Sequence, residues 1–115
     1  MSSSTPDDLG LKVEDTDAGP VIHVAGELDL ASAPQLSAAL SEAGREGTEP
    51  VTLDLSEVTF IDSSALRALV LAGRELTEAG RVLQIGPRSE MVNRVLSMTS
   101  LDQHTEAFQV LPDAG

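Results

Sequence analysis

The sequence contains no cysteine, tryptophan or tyrosine, and its two phenylalanines are Phe60 and Phe108. Without cysteine there is no disulfide framework, no thiolate zinc site and no thiol chemistry. Without tryptophan and tyrosine there is no aromatic platform on which single-stranded nucleic acid stacks. Positive charge is also scarce: 7 basic residues stand against 19 acidic ones, for a net charge of -12. A phosphate backbone is repelled by such a chain, and an anionic membrane surface is disfavoured, so neither nucleic acid nor membrane is an expected partner. A basic protein partner, by contrast, is steered in. No apolar run approaches the length of a membrane span. Residues 1–8, Met1-Ser2-Ser3-Ser4-Thr5-Pro6-Asp7-Asp8, lack the basic and apolar regions of a signal peptide, which makes a soluble cytoplasmic protein the expectation.

What is present is aliphatic. Hydrophobic residues make up 41% of 115 positions, enough for a packed core in one domain. Residues 1–8 are polar and read as a disordered tail, residues 9–111 as the domain, and residues 112–115 as a second tail. Leu9, Leu11 and Val13 alternate with polar neighbours, as in an edge strand. A turn at Asp17-Ala18-Gly19-Pro20 leads to the more continuously apolar strand Val21–Ala25. Ser32 is a good N-cap with Pro34 in the first turn behind it. Ala33, Leu36, Ala39, Leu40 and Ala43 then recur at helical spacing, and Gly44 and Gly47 close the helix. Val51, Leu53 and Leu55 alternate in a strand that passes through a loop to Asp62. A second helix is predicted from about Ser63 to Ala79, stopped by Gly80. A strand over 81–85, broken by Gly86-Pro87, precedes a third helix that starts near Arg88 or Ser89 and carries Met91, Val92, Val95 and Leu96. The last strand is predicted over 105–111. The order β-β-α-β-α-β-α-β predicts an α/β domain with a mixed, mostly parallel sheet and right-handed crossovers, the first two strands pairing antiparallel.

In an open α/β sheet, function collects beyond the carboxyl ends of parallel strands. One such end carries Glu27 and Asp29, and another carries Asp62, Ser63 and Ser64. If the two strands are parallel neighbours, both sets share one edge of the sheet. Taken alone, Asp62, Ser63 and Ser64 read as helix capping and Asp29 as a turn-capping residue. His23, inside a strand, reads as a satisfied packing residue rather than a ligand or base.

The ordered set Gly26-Glu27-Leu28-Asp29, Ala33-Pro34-Gln35-Leu36, Asp54-Leu55-Ser56 and Phe60-Ile61-Asp62-Ser63-Ser64-Ala65-Leu66 resembles the anti-sigma factor antagonist (STAS domain) family. Val92-Asn93-Arg94-Val95-Leu96 and Thr99-Ser100-Leu101-Asp102 are similar to that family's third helix and following turn. The likeness spans about residues 9 to 111, which makes it far more specific than any one motif. It implies a sheet backed by helices and a partner-switching regulator. The resemblance further implies that the unmodified form captures an anti-sigma factor that is also a serine kinase and so frees a sigma factor. By the same resemblance, phosphorylation is expected to block the capture and a phosphatase to reverse it. By the resemblance, Ser63 is the phosphorylated serine, Ser64 matches the adjacent, usually unmodified position, and Asp29, Asp62, Ser63 and Ser64 belong to the partner-binding surface. The family usually has Gly at the positions of Ala65 and Ser100.

This reading makes the chain a binding module rather than an enzyme, with no cofactor or metal of its own. A serine nucleophile needs a base, and neither His23 nor His104 is adjacent to one in sequence. Within the same fold, the alternative is a STAS subunit regulating a transporter or a stress-signalling scaffold. From another class, an aspartyl-phosphate receiver using Asp54 or Asp62 would want an acidic cluster after its first strand and a lysine late in the chain. The sole lysine is Lys12.

Overall fold

The computed structural model describes residues 9–99 and 107–112. Its elements are β1 (Gly10–Thr16), β2 (Gly19–Leu28), α1 (Ala33–Ala43), β3 (Val51–Ile61), α2 (Ser63–Glu78), β4 (Leu83–Arg88), α3 (Glu90–Met98) and β5 (Gln109–Val110). They form one five-stranded sheet of order β1-β2-β3-β4-β5, antiparallel between β1 and β2 and parallel elsewhere. The predicted α/β architecture and element order are those observed.

Each parallel pair up to β4 is joined by one helix, and alternation along the strands decides where the helices lie. Ile22, Val24 and Leu28 of β2, Leu53, Leu55, Val58 and Ile61 of β3, and Leu83 and Ile85 of β4 are buried. Against them pack Leu36 and Leu40 of α1, Leu66, Leu69 and Leu76 of α2, and Val92 and Leu96 of α3, in one core cluster that is aliphatic but for Phe108. A residue such as Leu69, with 1% of its surface exposed, contributes about 1.5–3 kcal/mol through burial. The opposite face carries His23, Thr52, Asp54 and Gln84, all half-buried, and no described helix covers it.

The first four strands all run past their predicted ends. β1 reaches Thr16, and β2 spans Gly19–Leu28 rather than Val21–Ala25. β3 reaches Ile61, and β4 starts at Leu83 rather than Arg81 but continues to Arg88. The expected loop between Leu55 and Asp62 is strand as far as Ile61. The alternation fails there because β3 carries extra residues against β2: His23 faces Asp54 but Ala25 faces Glu57, and Gly26 faces Val58 but Glu27 faces Phe60. Each such bulge inserts a residue and shifts the inward positions without ending the ladder. Gly26 sits at this irregularity with φ +108°, a conformation that favours glycine. Likewise Gly86-Pro87 does not break β4. Leu53 faces Ile85 and Leu55 faces Arg88, so Gly86 and Pro87 together oppose Asp54. A bulge is where a strand tolerates a residue without an N–H.

The predicted first strand begins one residue later than expected, with buried Leu9 just outside it. The final strand is shorter than expected, Gln109–Val110, and the predicted start at Thr105 lies outside the described residues. Ser100 and His104 lie outside them too. The tail predicted over 1–8 is likewise outside the described residues, as is 113–115 of the C-terminal one. At the opposite end of the sheet, the buried Arg81 donates to the carbonyls of Glu46 and Glu49 at 2.7 Å each, pinning the α1–β3 connection.

Candidate functional site

The β2–α1 loop and the β3–α2 junction meet at the carboxyl end of the sheet. Glu27 pairs with Phe60 and Leu28 with Ile61. The amide of Asp62 donates to the carbonyl of Leu28 at 3.1 Å. The two bulges of β3 carry its end forward so that α2 starts directly beside the residue preceding Asp29.

Asp62 is the N-cap of α2, in extended conformation, and its Oδ1 accepts from the amide of Ala65 at 2.9 Å. Its carbonyl accepts the amide of Leu66 at 3.1 Å. Ser63 and Ser64 are therefore the first two residues of the helix and not its caps. Ser63 is exposed, and its hydroxyl has no partner among the described residues. Ser64 is half-buried and turned toward α1. Ala65, at 0% exposure, aims its methyl into the core. The methyl that replaces the family's usual glycine hydrogen therefore adds to packing and leaves the outer face of Ser63 unobstructed.

Asp29 is half-buried, and one of its oxygens is committed to its own loop. Oδ1 accepts the amides of Ala31 and Ser32, both at 3.0 Å. Ser32 stands at the N-cap position of α1, but its side chain does not cap the helix. Its buried hydroxyl donates to the Glu27 carbonyl at 2.7 Å and accepts the Asp29 amide at 3.0 Å. The predicted capping role of Ser32 is thus corrected: the hydroxyl ties the loop back to β2, because the chain reverses direction between Glu27 and Ser32 and leaves those backbone groups nearby. Asp29 is the turn-capping aspartate that its sequence position suggests.

Beside this junction lies an open apolar dish of about 450 Å³ between α1 and α2, floored by Leu30, Pro34, Ala68 and Leu71 with Ser64 and Arg67 at its edge. Leu30 is 73% exposed and Leu71 49%. Neither is marked by the sequence pattern. Leu30 follows an aspartate in a turn, and only the placement of the two helices makes it one wall of a depression.

His23 departs from its expected role as a packing residue. It lies on the helix-free face with a carboxylate on each ring nitrogen, Asp54 and Glu14. Hydrogen bonds first with Glu14 and then with Asp54 raise its pKa above the ordinary 6.5. Burial pushes Asp54 upward, but hydrogen bonds from the Ser56 hydroxyl and amide and from His23 outweigh it and hold the carboxyl below 3.8. Asp54 is thus tied into β3 and does not stand free as a phosphoryl acceptor would. No helix of the described residues is long and apolar enough to cross a membrane.

A helix-backed mixed sheet, with an exposed serine at the start of α2 beside an aspartate-turned loop, defines the class of small single-sheet α/β domains. A family model described as "Mlab, STAS domain" matches residues 11–112, and the chain belongs to that STAS domain family, among the anti-sigma factor antagonists. It is 28% identical over 113 residues to the anti-sigma-F factor antagonist RsfB of Mycobacterium tuberculosis, covering 96% of this chain and 90% of the relative. The crystal structure of an anti-sigma factor antagonist from Mycobacterium paratuberculosis aligns with TM-score 0.73 and 30% identity, over 97% of this chain and 92% of that one. The phosphorylated form of the Bacillus cell fate determinant SpoIIAA aligns with TM-score 0.58 and 25% identity, over 90% and 92%.

Proposed function

We propose that this domain captures an anti-sigma factor through the junction of the β2–α1 loop and α2, and that phosphorylation of Ser63 switches the capture off. The observation that carries the reading is the exposed, unpartnered Ser63 hydroxyl, set between the Asp29 loop and the apolar dish. The SpoIIAA likeness, which includes a phosphorylated form, lends support. Asp29, Asp62, Ser63 and Ser64 form the polar part of the docking surface, and Leu30 and Leu71 the apolar part.

A phosphate on Ser63 brings about -1.5 to -2 charges at neutral pH. The helix N-terminus accommodates part of that charge, while the carboxylates of Asp62 and Asp29 oppose it. The fold need not change. Spoiling a flush fit at a cost of about 3–4 kcal/mol weakens binding a few hundred-fold, which suffices for a switch. The kinase, the anti-sigma factor itself, brings Mg-ATP. A phosphatase resets the serine, and the exchange takes place in the cytoplasm. The chain itself contributes a surface and a hydroxyl, not catalytic groups.

Incubation with ATP and candidate anti-sigma kinases, followed by mass spectrometry of wild type, Ser63→Ala and Ser64→Ala, tests the assignment. Phosphate should appear on Ser63, vanish in Ser63→Ala and persist in Ser64→Ala. Phosphate mapped to Ser64 or Thr59 overturns it. A chain that no such kinase modifies, yet binds a transporter subunit or a scaffold, belongs to the alternative class.

A further inference from the structure

On the helix-free face, His23 Nδ1 lies 2.8 Å from Asp54 Oδ2 on β3, and its Nε2 lies 2.9 Å from Glu14 Oε1 on β1. A neutral imidazole has a single N–H and can donate to one of these carboxylates. Only the imidazolium donates to both. We propose that the His23 imidazolium is a proton-operated clamp that holds edge strand β1 onto the sheet and braces the bulge of β3.

The clamp matters because, beyond its backbone ladder with β2, β1 has few side-chain anchors. Lys12, Val13, Glu14 and Asp15 are exposed, and its apolar hold on the core is Leu11 together with the preceding Leu9. On the other side, Asp54 Oδ1 accepts the Ser56 amide at 3.0 Å and hydroxyl at 2.7 Å. Those two bonds shape the bulge that sets the later register of β3, so one ring links the sheet edge to the strand leading to Asp62.

The charged groups around the ring are few. β1 contributes Glu14 and also Lys12, which pairs with His23 in register. β3 contributes Asp54 and, farther along the same shallow depression, Glu57. The two carboxylates hydrogen-bonded to the ring favour its protonated form. Its pKa is raised accordingly, by Glu14 first and Asp54 second.

A group whose folded-state pKa exceeds its unfolded value contributes stability that is complete below the unfolded value, here 6.5, and is lost as pH rises through the folded value. Toward acid, the Asp54 arm contributes stability that is present above 3.8 and lost as pH falls through its own lowered value. The clamp is closed between these limits and opens on the alkaline side. Glu14 is the partner released there: its side chain is 58% exposed against 20% for Asp54, and Ser56 holds Asp54 in place. The clamp does not depend on phosphorylation.

The test is an NMR titration of the full chain, following the ring protons of His23, with His104 as the second histidine resonance, alongside amide exchange of Lys12, Val13 and Glu14 corrected for intrinsic rates. In wild type the His23 midpoint should lie above 6.5, and β1 protection should fall several-fold as pH passes it. Glu14→Gln and Asp54→Asn should each lower the midpoint. Glu14→Gln, an exposed substitution that leaves the core intact, should also abolish the step in β1 protection. A wild-type midpoint at or below 6.5, or β1 protection that shows no step across the midpoint, overturns the proposal.

Discussion

The backbone amide of Asp62 bonds the carbonyl of Leu28 at 3.1 Å, across a sequence separation that the parallel β2–β3 pair closes. This single bond registers the start of α2 against the loop that begins at Asp29. Residues on either side of it, Asp29 and Ser63, are thereby placed on one edge of the sheet. Changes at this junction can be sorted by whether they alter charge, cap or loop.

Charge at Ser63 is the first. Ser63→Ala should bind the anti-sigma partner constitutively, since a methyl adds no charge and little bulk. Ser63→Asp should bind more weakly than wild type but less weakly than the phosphoprotein, because it carries one charge and lacks a third oxygen. Calorimetry on wild type, the two variants and the phosphoprotein checks this, and equal affinities across the four would remove Ser63 from the docking surface.

Asp62 tests the cap. Its Oδ1 satisfies the Ala65 amide, so Asp62→Ala should lower stability by about 1 kcal/mol, while Asp62→Asn should lose only a few tenths. Chemical denaturation followed by far-ultraviolet circular dichroism reads the difference. A cost indistinguishable from zero for alanine would mean that another group caps α2.

Asp29 separates loop from surface. Its Oδ1 holds two backbone amides, so Asp29→Ala should loosen the loop and cost about 1.5–3 kcal/mol. Asp29→Asn keeps an acceptor and removes the charge. If the charge itself meets the partner, Asn should weaken binding while its melting temperature stays near wild type. Unchanged affinity for Asn with reduced affinity for Ala would assign Asp29 to loop shape alone.

Gly73 decides between two opposed effects. On an isolated helix, Gly→Ala stabilises by about 1 kcal/mol. Here an added Cβ would collide with the carbonyl of Ala107, whose segment crosses α2 at that point. Overpacking of this kind costs about 1–3 kcal/mol and should win, so Gly73→Ala should melt below wild type. A higher melting temperature would show that the 107 segment moves aside freely.

With a charge of -12 and no tryptophan or tyrosine, the domain should show no binding to DNA or RNA. An anisotropy titration at low salt, where electrostatic attraction is strongest, is the severe form of the test. Micromolar affinity there would overturn the expectation.

The sequence by itself determined the element order, the three helix faces and the place of Asp62-Ser63-Ser64 at a helix start. These follow from local periodicity and from residues within a turn of one another, such as Asp62 and Ala65. It also carried the family resemblance, which rests on ordered local motifs. The tertiary structure alone decided the rest. β3 continues through Ser56-Glu57 because its partner strand supplies a ladder that absorbs the bulges. Pro87 stays in β4 because it falls in a bulge, where the ladder asks no N–H of it. Leu30 becomes a wall of a dish because α1 and α2 lie side by side. His23 becomes a bridge because its partners lie 9 and 31 residues away, and no pattern within β2 encodes a carboxylate arriving from a neighbouring strand.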